Sequence, residues 1–302
     1  MSLNNKGILL ESGTNELEIV EFGVANNKFG INVIKVKEII NPVPITVVPH
    51  AHPSVEGIIS IRGEVLPVVN MATVLGFPVS SNPKQDKFIV CEFNQTKIVF
   101  HVHTVSQIHR ISWKQIDKPS EMYSGLESQI IGVIKMNEEM VLLLDYEKIV
   151  VDINPQSGIS VDQLKKLGPR ERSNKSIIIA EDSALLRKLL EETLEQAGYG
   201  RLTFFENGQD ALDYLEDLVN TGRNIENEVQ LIITDIEMPK MDGHHLTKRI
   251  KDQAELSKLP VIIFSSLITD DLRHKGEMVG ATAQVSKPEI VELVKLIDKY
   301  VL

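Results

Sequence analysis

The sequence predicts two domains of different fold class: an all-β domain, and after it an α/β domain with a doubly wound, five-stranded parallel sheet. The chain has 302 residues, and this length favours about two domains. Before residue 153, short β-branched segments are separated by turn residues, a pattern typical of barrels or sandwiches. After residue 175, apolar runs alternate with amphipathic segments, as strands do with crossover helices. We place the β domain at 15–152, a linker at 153–174 and the α/β domain at 175–302.

The composition is that of a globular protein and excludes several function classes. Hydrophobic residues make up 42% and charged residues 25% of the chain, too apolar for a disordered protein. The net charge of -10 argues against nucleic-acid binding through bulk positive charge. The single cysteine, Cys91, excludes an internal disulfide, a zinc ribbon and an iron–sulfur cluster. No apolar run reaches the roughly 20 residues of a membrane helix, and residues 1–13 do not resemble a signal peptide. We therefore expect a cytoplasmic protein.

The β domain is predicted from repeated hairpins. A few short helices are expected between them, for instance around Val36–Ile40 and Tyr146–Val151. The predicted strand pairs are Glu16–Val24 with Phe29–Val33, Val55–Ile61 with Val65–Val69, Phe88–Phe93 with Lys97–Val102, and Gln129–Met136 with Met140–Asp145.

The α/β domain is predicted as five strand–helix units, with helices on both faces of the sheet. Glycine and proline at both ends of 153–174 mark that segment as a solvated linker. The strands are Ser176–Ala180, Arg201–Phe205, Val229–Thr234, Val261–Ser265 and Ala283–Ser286; the helices are Leu185–Ala197, Gly208–Val219, Leu246–Ala254, Asp271–Val279 and Glu289–Tyr300.

Polar residues follow four of these five strands. Glu181–Asp182 end the first strand, Asp235 the third, Ser265–Ser266 the fourth and Lys287–Pro288 the fifth. Functional groups in open α/β sheets collect at these carboxyl ends. Taken singly, a Glu-Asp pair is more often a helix cap and a Lys-Pro pair a turn. Their coincidence at four strand ends favours a common site.

The chemistry of this set points to phosphoryl transfer onto a carboxylate. Clustered carboxylates repel one another unless a cation lies among them, and oxygen ligands suit Mg²⁺. Asp235 is the candidate nucleophile. Mg²⁺ and Lys287 would neutralise the phosphoryl oxygens, and Ser265 would donate a hydrogen bond to one of them. No nucleotide-binding glycine loop is present, which argues against a nucleotide donor.

Residues 175–302 resemble the receiver domain of two-component response regulators. The resemblance is carried by Glu181–Asp182, the stretch Asp235–Gly243, Ser265 and Lys287–Pro288, in that order. It implies that Asp235 accepts phosphate from a histidine kinase, and that Asp182 and Asp235 bind Mg²⁺. It further implies that Glu181 holds a metal-bound water and that the Glu237 backbone carbonyl is a ligand.

One position departs from the receiver pattern. Receivers usually carry an aromatic residue three positions before the lysine, whereas this chain has Gln284, so we expect a readout that differs from the usual hydroxyl–aromatic coupling or is damped. A phosphatase with an aspartyl nucleophile is an alternative in principle. It usually needs a second aspartate two residues after the nucleophile, where this chain has Glu237.

No residue of the β domain forms a catalytic motif. The pairs His50/His52 and His101/His103, and in the other domain His244/His245, could bind a metal, but satisfied or exposed histidines are commoner and no third ligand is evident. The same holds for His109. Cys91 lies in a strand-like run and is expected to be a buried small hydrophobe.

The Val55–Val69 hairpin is apolar nearly throughout, which indicates either a strand pair buried on both faces or a binding surface. Its run from Gly57 to Val69 resembles the CheW family of chemotaxis coupling proteins, and the resemblance covers residues 15–152. The family often has Asp-Leu-Arg where this chain has Asn70–Ala72. The resemblance implies two five-stranded barrels that bind chemoreceptor tips and the histidine kinase.

Glu38 and Arg62 are candidates for an ion pair that shapes this binding surface; the alternative is two independently solvated charges. The order of a coupling domain and a receiver resembles CheV-type chemotaxis proteins. This implies a non-enzymatic adaptor, recruited from the cytoplasm to receptor arrays, whose docking depends on phosphorylation of Asp235. A phosphate sink for the kinase is the alternative, which Gln284 favours. A transcriptional regulator lacks support, because the chain is acidic.

Overall fold

The computed structural model describes residues 15–93, 96–117, 129–136, 139–155, 171–287 and 289–301. The chain divides into two compact units, of which the first is Glu16–Ser157 and the second contains Gly158–Leu302. Most of the predicted linker, residues 156–170, lies outside the described residues, as do residues 94–95 between two predicted strands. None of the helices in these ranges is long and apolar enough to cross a membrane.

The first unit is built from two β-sheets. One has six strands in the order β8-β1-β2-β11-β10-β9, and the other five in the order β3-β6-β7-β5-β4. The predicted all-β class is confirmed, with one strand more in the first sheet than the resemblance implies. The strands are β1 (Glu16–Val24), β2 (Asn27–Asn32), β3 (Val36–Ile40), β4 (Val55–Ile61), β5 (Glu64–Asn70), β6 (Lys87–Phe93), β7 (Thr96–Val102), β8 (Thr104–Ser112), β9 (Ile116–Asp117), β10 (Ile130–Met136) and β11 (Glu139–Leu144).

The predicted helix around Val36–Ile40 is wrong, because this segment is strand β3, which pairs antiparallel with β6. Its burial alternates along the strand, with Lys37 and Ile39 exposed, and its β-branched residues suit that period. A 3-10 turn at Val33–Lys35 comes just before it. The second predicted helix is confirmed as α2 (Tyr146–Ile153), while a shorter helix, α1 (Met71–Val74), follows β5.

The β4–β5 hairpin depends on two places where the backbone needs special freedom. Arg62 and Gly63 form its two-residue turn with φ angles of 51° and 86°, the positive values that a type I′ turn requires. Gly57 lies where the chain at Thr46 bridges to Ile58. A Cβ on Gly57 would lie 2.2 Å from the Thr46 carbonyl oxygen. This close approach extends the sheet beyond its edge strand β4.

Three apolar cores stabilise the first unit. The largest joins both sheets and α2; here Phe93 and Phe100 pack around Tyr146, whose hydroxyl donates to the Gly30 carbonyl at 2.9 Å. Cys91 is fully buried within this core, and burial raises the pKa of its thiol, as expected for a structural cysteine. Each sheet also has its own smaller core.

The second unit is the predicted parallel α/β domain. Its sheet has the strand order β13-β12-β14-β15-β16, and every pair is parallel. Separate apolar cores cover its two faces, so the doubly wound class is confirmed. The elements are β12 (Ser173–Ala180), α3 (Ala184–Gln196), β13 (Tyr199–Phe205), α4 (Gly208–Asn220), α5 (Ile225–Glu228), β14 (Leu231–Thr234), α6 (Gly243–Asp252), β15 (Val261–Ser265), α7 (Asp270–Met278), β16 (Ala283–Ser286) and α8 (Ile290–Val301).

A network of polar side chains connects strands of the five-stranded sheet in the first unit. The two ring nitrogens of His101 lie 2.9 Å from Glu56 Oε2 and 3.0 Å from Asp86 Oδ2. Carboxylates only accept hydrogen bonds, so a protonated imidazole satisfies both. Asn70 donates to Glu56 at 2.6 Å, and Ser80 donates to Asp86 at 2.6 Å. The network therefore ties β4, β5 and β7 to the chain before β6.

We predict that this network makes the first unit more stable at lower pH. Burial lowers the pKa of His101, but the hydrogen bonds and charges of Glu56 and Asp86 outweigh it and raise the pKa above 6.5. The stabilisation is then complete below pH 6.5 and is lost as the pH rises through the raised pKa. Thermal melts from about pH 6 to 9 should show a decline that His101→Gln flattens, at a cost of roughly 1.5–3 kcal/mol at the acidic end.

His50→Gln is the matched control, because His50 is an exposed histidine of the same unit. It should melt like the wild type across this pH range. An equal slope in the wild type and His101→Gln would contradict the assignment of the pH dependence to His101.

Candidate functional site

The candidate site lies at the carboxyl ends of the parallel strands of the second unit. Glu181 and Asp182 directly follow β12, Asp235 follows β14, and Lys287 follows β16. Ser265 is the last residue of β15. The parallel pairing brings these ends to one edge of the sheet, as the sequence predicts.

Lys287 bridges two of the acidic residues. Its Nζ donates to Glu181 Oε2 at 2.8 Å and to Asp235 Oδ2 at 3.1 Å. The Lys287 side chain is 1% exposed, and those of Glu181 and Asp235 are 2% and 4% exposed. Removing three charges from water is costly unless they pair closely. The ammonium therefore stabilises both carboxylates in this buried position.

The three acidic residues form the kind of cluster that holds a metal ion. Oxygens of Glu181, Asp182 and Asp235 all lie within 4.8 Å of one another. Carboxylates this close repel one another, so a cation among them would be stabilised. An all-oxygen donor set suits Mg²⁺. The residues present thus fit the ion that the sequence predicts.

The loop after β14 keeps Asp235 in place. Asp235 Oδ1 accepts from the Ile236 N–H at 2.6 Å, and the Gly243 N–H donates to the Ile236 carbonyl at 2.9 Å. Only a glycine fits at 243, because a Cβ there would lie 1.9 Å from the Asp235 carbonyl oxygen. Glu237 lies in the same loop and is half-buried. Its backbone carbonyl as a metal ligand stays a prediction.

Ser265 is buried, and its backbone is joined to the lysine end of the site. The Lys287 N–H donates to the Ser265 carbonyl at 3.0 Å. The Ser265 hydroxyl oxygen accepts from the Leu267 N–H at 3.2 Å. The role of this hydroxyl toward a phosphoryl group stays a prediction.

Arg187 is a residue that the sequence analysis missed. It lies in the first turn of α3, and its guanidinium donates to the backbone carbonyls of Glu181 and Asp182. The available signal was a cation near a helix N-terminus, where the helix dipole disfavours positive charge. Such a residue needs a compensating partner, and here the partner is the acidic turn.

The chain matches two family models, a CheW-like domain at residues 18–154 and a response regulator receiver domain at residues 177–298. Chemotaxis protein CheV3 of Helicobacter pylori is 30% identical over 94% of this chain and 96% of its own length. This chain belongs to the CheV family. Chemotaxis protein CheV2 of the same organism is 29% identical, covering 90% of this chain and 89% of its own. Chemotaxis protein CheW of Thermotoga maritima is 29% identical over 50% of this chain and 98% of its own.

In the CheW-like domain, Arg62 and Glu38 form an ion pair. Arg62 Nη2 lies 2.9 Å from Glu38 Oε2, with the arginine 81% and the glutamate 26% exposed. The pair joins the tip of the β4–β5 hairpin to β3. Nearby strand residues include exposed hydrophobics, with Val65 63% and Ile39 40% exposed. The hairpin is therefore exposed near its tip, whereas at its base Val68 and Val69 are both buried, in different apolar cores. Its role in binding stays a prediction.

The Asn70–Ala72 departure from the CheW pattern has a structural explanation. Asn70 caps α1 by accepting from the Thr73 N–H at 3.0 Å, while it also donates to Glu56. Met71 and Ala72 are fully buried. In this chain these three positions stabilise the domain from within.

The histidine pairs do not form a metal site within the described residues. His101 is held by Glu56 and Asp86, whereas His103 Nδ1 accepts from the Ala25 N–H at 3.0 Å. His109 lies 2.7 Å from the buried Glu21. His244 is buried, and burial lowers its pKa to about 4.

Proposed function

We propose that this CheV-family chain is a cytoplasmic chemotaxis adaptor, recruited to receptor arrays, whose coupling is regulated by phosphorylation of Asp235. The carrying observation is the buried ammonium of Lys287, which lies between Glu181 and Asp235 beside Asp182. A CheW-like domain in the same chain supports the coupling role. Its partners are then the cytoplasmic tips of chemoreceptors and the chemotaxis histidine kinase.

The proposed chemistry is transfer of a phosphoryl group from a kinase phosphohistidine. A carboxylate oxygen of Asp235 forms the new bond to phosphorus, the phosphorus–nitrogen bond breaks, and its electron pair stays on the imidazole. Lys287 neutralises charge on the phosphoryl oxygens, and the Ser265 hydroxyl donates to one of them. Mg²⁺ held by Glu181, Asp182 and Asp235, with the Glu237 carbonyl, would supply further neutralisation. The chain acts as phosphoacceptor, not as a turnover enzyme.

Replacing the phosphoacceptor tests this proposal directly. Asp235→Asn keeps the shape of the side chain but removes the nucleophilic carboxylate, so we expect radiolabel transfer from the cognate phosphorylated kinase to fall to background. Asp252→Asn is the matched control, because Asp252 is an exposed aspartate at the end of α6. It should label like the wild type. Labelling of both Asp235→Asn and the wild type, or of neither, would overturn the proposal.

Replacing Arg62 tests the proposed docking role of the CheW-like domain. If the Glu38–Arg62 pair shapes the docking surface, Arg62→Ala should weaken binding to receptor tips and kinase by about 1 kcal/mol, roughly fivefold. Lys135→Ala is the control, because Lys135 is also an exposed cation and forms an ion pair with Asp117 at 2.7 Å elsewhere in the same unit. Affinities measured by calorimetry should fall only for Arg62→Ala. If Arg62→Ala binds as tightly as the wild type, the Glu38–Arg62 pair does not contribute to docking.

A phosphate sink is the second candidate, and Gln284 favours it. Its Nε2 donates to the Arg273 carbonyl at 2.6 Å, and its amide packs on Gly276, where a Cβ would lie 2.3 Å from Oε1. The side chain thus joins β16 to α7 where the receiver pattern has an aromatic residue. Such a tether opposes a large rearrangement of α7.

Docking affinity with and without an acyl-phosphate mimic separates the two candidates. A regulated adaptor should change its affinity for the receptor or kinase by 1–3 kcal/mol, about 5- to 150-fold. A sink should accept phosphate at Asp235 with unchanged affinity. Beryllium fluoride with Mg²⁺ is the mimic, and the Asp235→Asn variant is its negative control.

A further inference from the structure

Arg187 has an unusual setting for a cation. It lies in the first turn of α3, where the helix dipole disfavours positive charge. Its side chain is only 19% exposed. An arginine held in this way requires strong acceptors nearby to offset both the dipole and the loss of solvent.

Three oxygens supply those acceptors. Nη1 donates to the Glu181 carbonyl at 2.7 Å and to the Asp182 carbonyl at 2.8 Å. Nη2 donates to Glu206 Oε1 at 3.0 Å. Hydrogen bonds from a charged donor are roughly twice as strong as neutral ones. One guanidinium therefore links the acidic turn after β12 to Glu206, which directly follows β13.

The Glu181 and Asp182 carbonyls belong to the two peptide units on either side of the Asp182 α-carbon. The Glu181 carbonyl belongs to the peptide unit before Asp182, and the Asp182 carbonyl to the unit after it. Planar peptide units leave only the two dihedral angles between them. By holding both units, Arg187 limits those angles and hence the direction in which the Asp182 side chain leaves the backbone.

We propose that Arg187 is a positioning residue for the divalent cation, which presets the Asp182 carboxylate toward the ion without touching it. This inference rests on the proposed function, since it concerns the ion that accompanies phosphorylation of Asp235. It deepens that function by assigning a regulator of Mg²⁺ affinity outside the acidic cluster. Glu206 holds the guanidinium by accepting a hydrogen bond from Nη2, whereas the two carbonyls accept from Nη1.

We expect the Arg187 contacts to affect the affinity for Mg²⁺ more than the rate of phosphoryl transfer to Asp235. Without Arg187 the acidic turn has to be ordered when the ion binds, so the Mg²⁺ dissociation constant rises. Partners that orient metal ligands typically change metal affinity by about 10- to 100-fold. Once Mg²⁺ is saturating, the turn is ordered again, and Asp235 should accept phosphate at close to the wild-type rate.

The test is Mg²⁺ titration of the full-length, unphosphorylated chain by calorimetry. Arg187→Gln should raise the dissociation constant by about tenfold. Arg187→Lys should recover part of the loss, because one nitrogen reaches both carbonyls in the native contact. Glu206→Gln should give a smaller loss through the weakened anchor. Arg201→Gln, an exposed arginine of β13, should match the wild type.

Two further measurements separate positioning from a general structural role. Labelling of Asp235 by the kinase across a range of Mg²⁺ should show a shifted midpoint with an unchanged maximum, and thermal melting without Mg²⁺ should remain one cooperative transition, with a midpoint lowered only by the lost hydrogen bonds. A lowered maximum at saturating Mg²⁺, or loss of cooperative melting, in both Arg187→Gln and Arg187→Lys would overturn the positioning role.

The failure of this inference differs from failure of the proposed function. Unchanged Mg²⁺ affinity in Arg187→Gln, with normal labelling of the wild type at Asp235, overturns the positioning role alone. No Mg²⁺ binding and no labelling in the wild type overturn both.

Discussion

The second unit depends on one buried electrostatic constraint, the placement of the Glu181 and Asp235 carboxylates on the Lys287 ammonium, with Asp182 beside them. Lys287 contacts Glu181 and Asp235 directly, with all three side chains nearly excluded from water. Buried ions of this kind are stable only with close partners. These charged side chains are held close together by the parallel strands, by the Arg187 contact and by the tight loop at Gly243.

The first unit uses the same physics for a different purpose. His101 lies between two carboxylates, as Lys287 does, but its network joins strands of one sheet instead of forming an open metal cluster. Asn70 and Ser80 satisfy the remaining carboxylate oxygens. The pairs on the surface, such as Arg62 with Glu38, are far more exposed, so they suit recognition better than stability.

Local signals predicted much of the fold but failed where long-range pairing decided the structure. The five strand–helix units were predicted from the alternation of short strand segments with amphipathic helical segments, with boundaries within three residues of those in the structure. Val36–Ile40 was predicted as a short helix between the hairpins. It is a strand because β6 offers a partner there. Strand β8 was not predicted, since most of its residues are exposed and show no clear period.

The sequence by itself determined the two fold classes and the set of residues at the strand ends. Both follow from hydrophobic periodicity and from the succession of strands and helices along the chain, which depend on neighbouring residues. Only the tertiary structure decided which carboxylates share the Lys287 ammonium and that Arg187 holds the turn carrying Asp182. It also decided that His101 belongs to a network with Glu56 and Asp86 and not to a histidine pair. The His101 and Lys287 contacts join residues 15 to 106 positions apart, and spacing along the chain does not encode such contacts; Arg187 and Asp182 are only five positions apart, but their contact depends on how the turn before α3 folds.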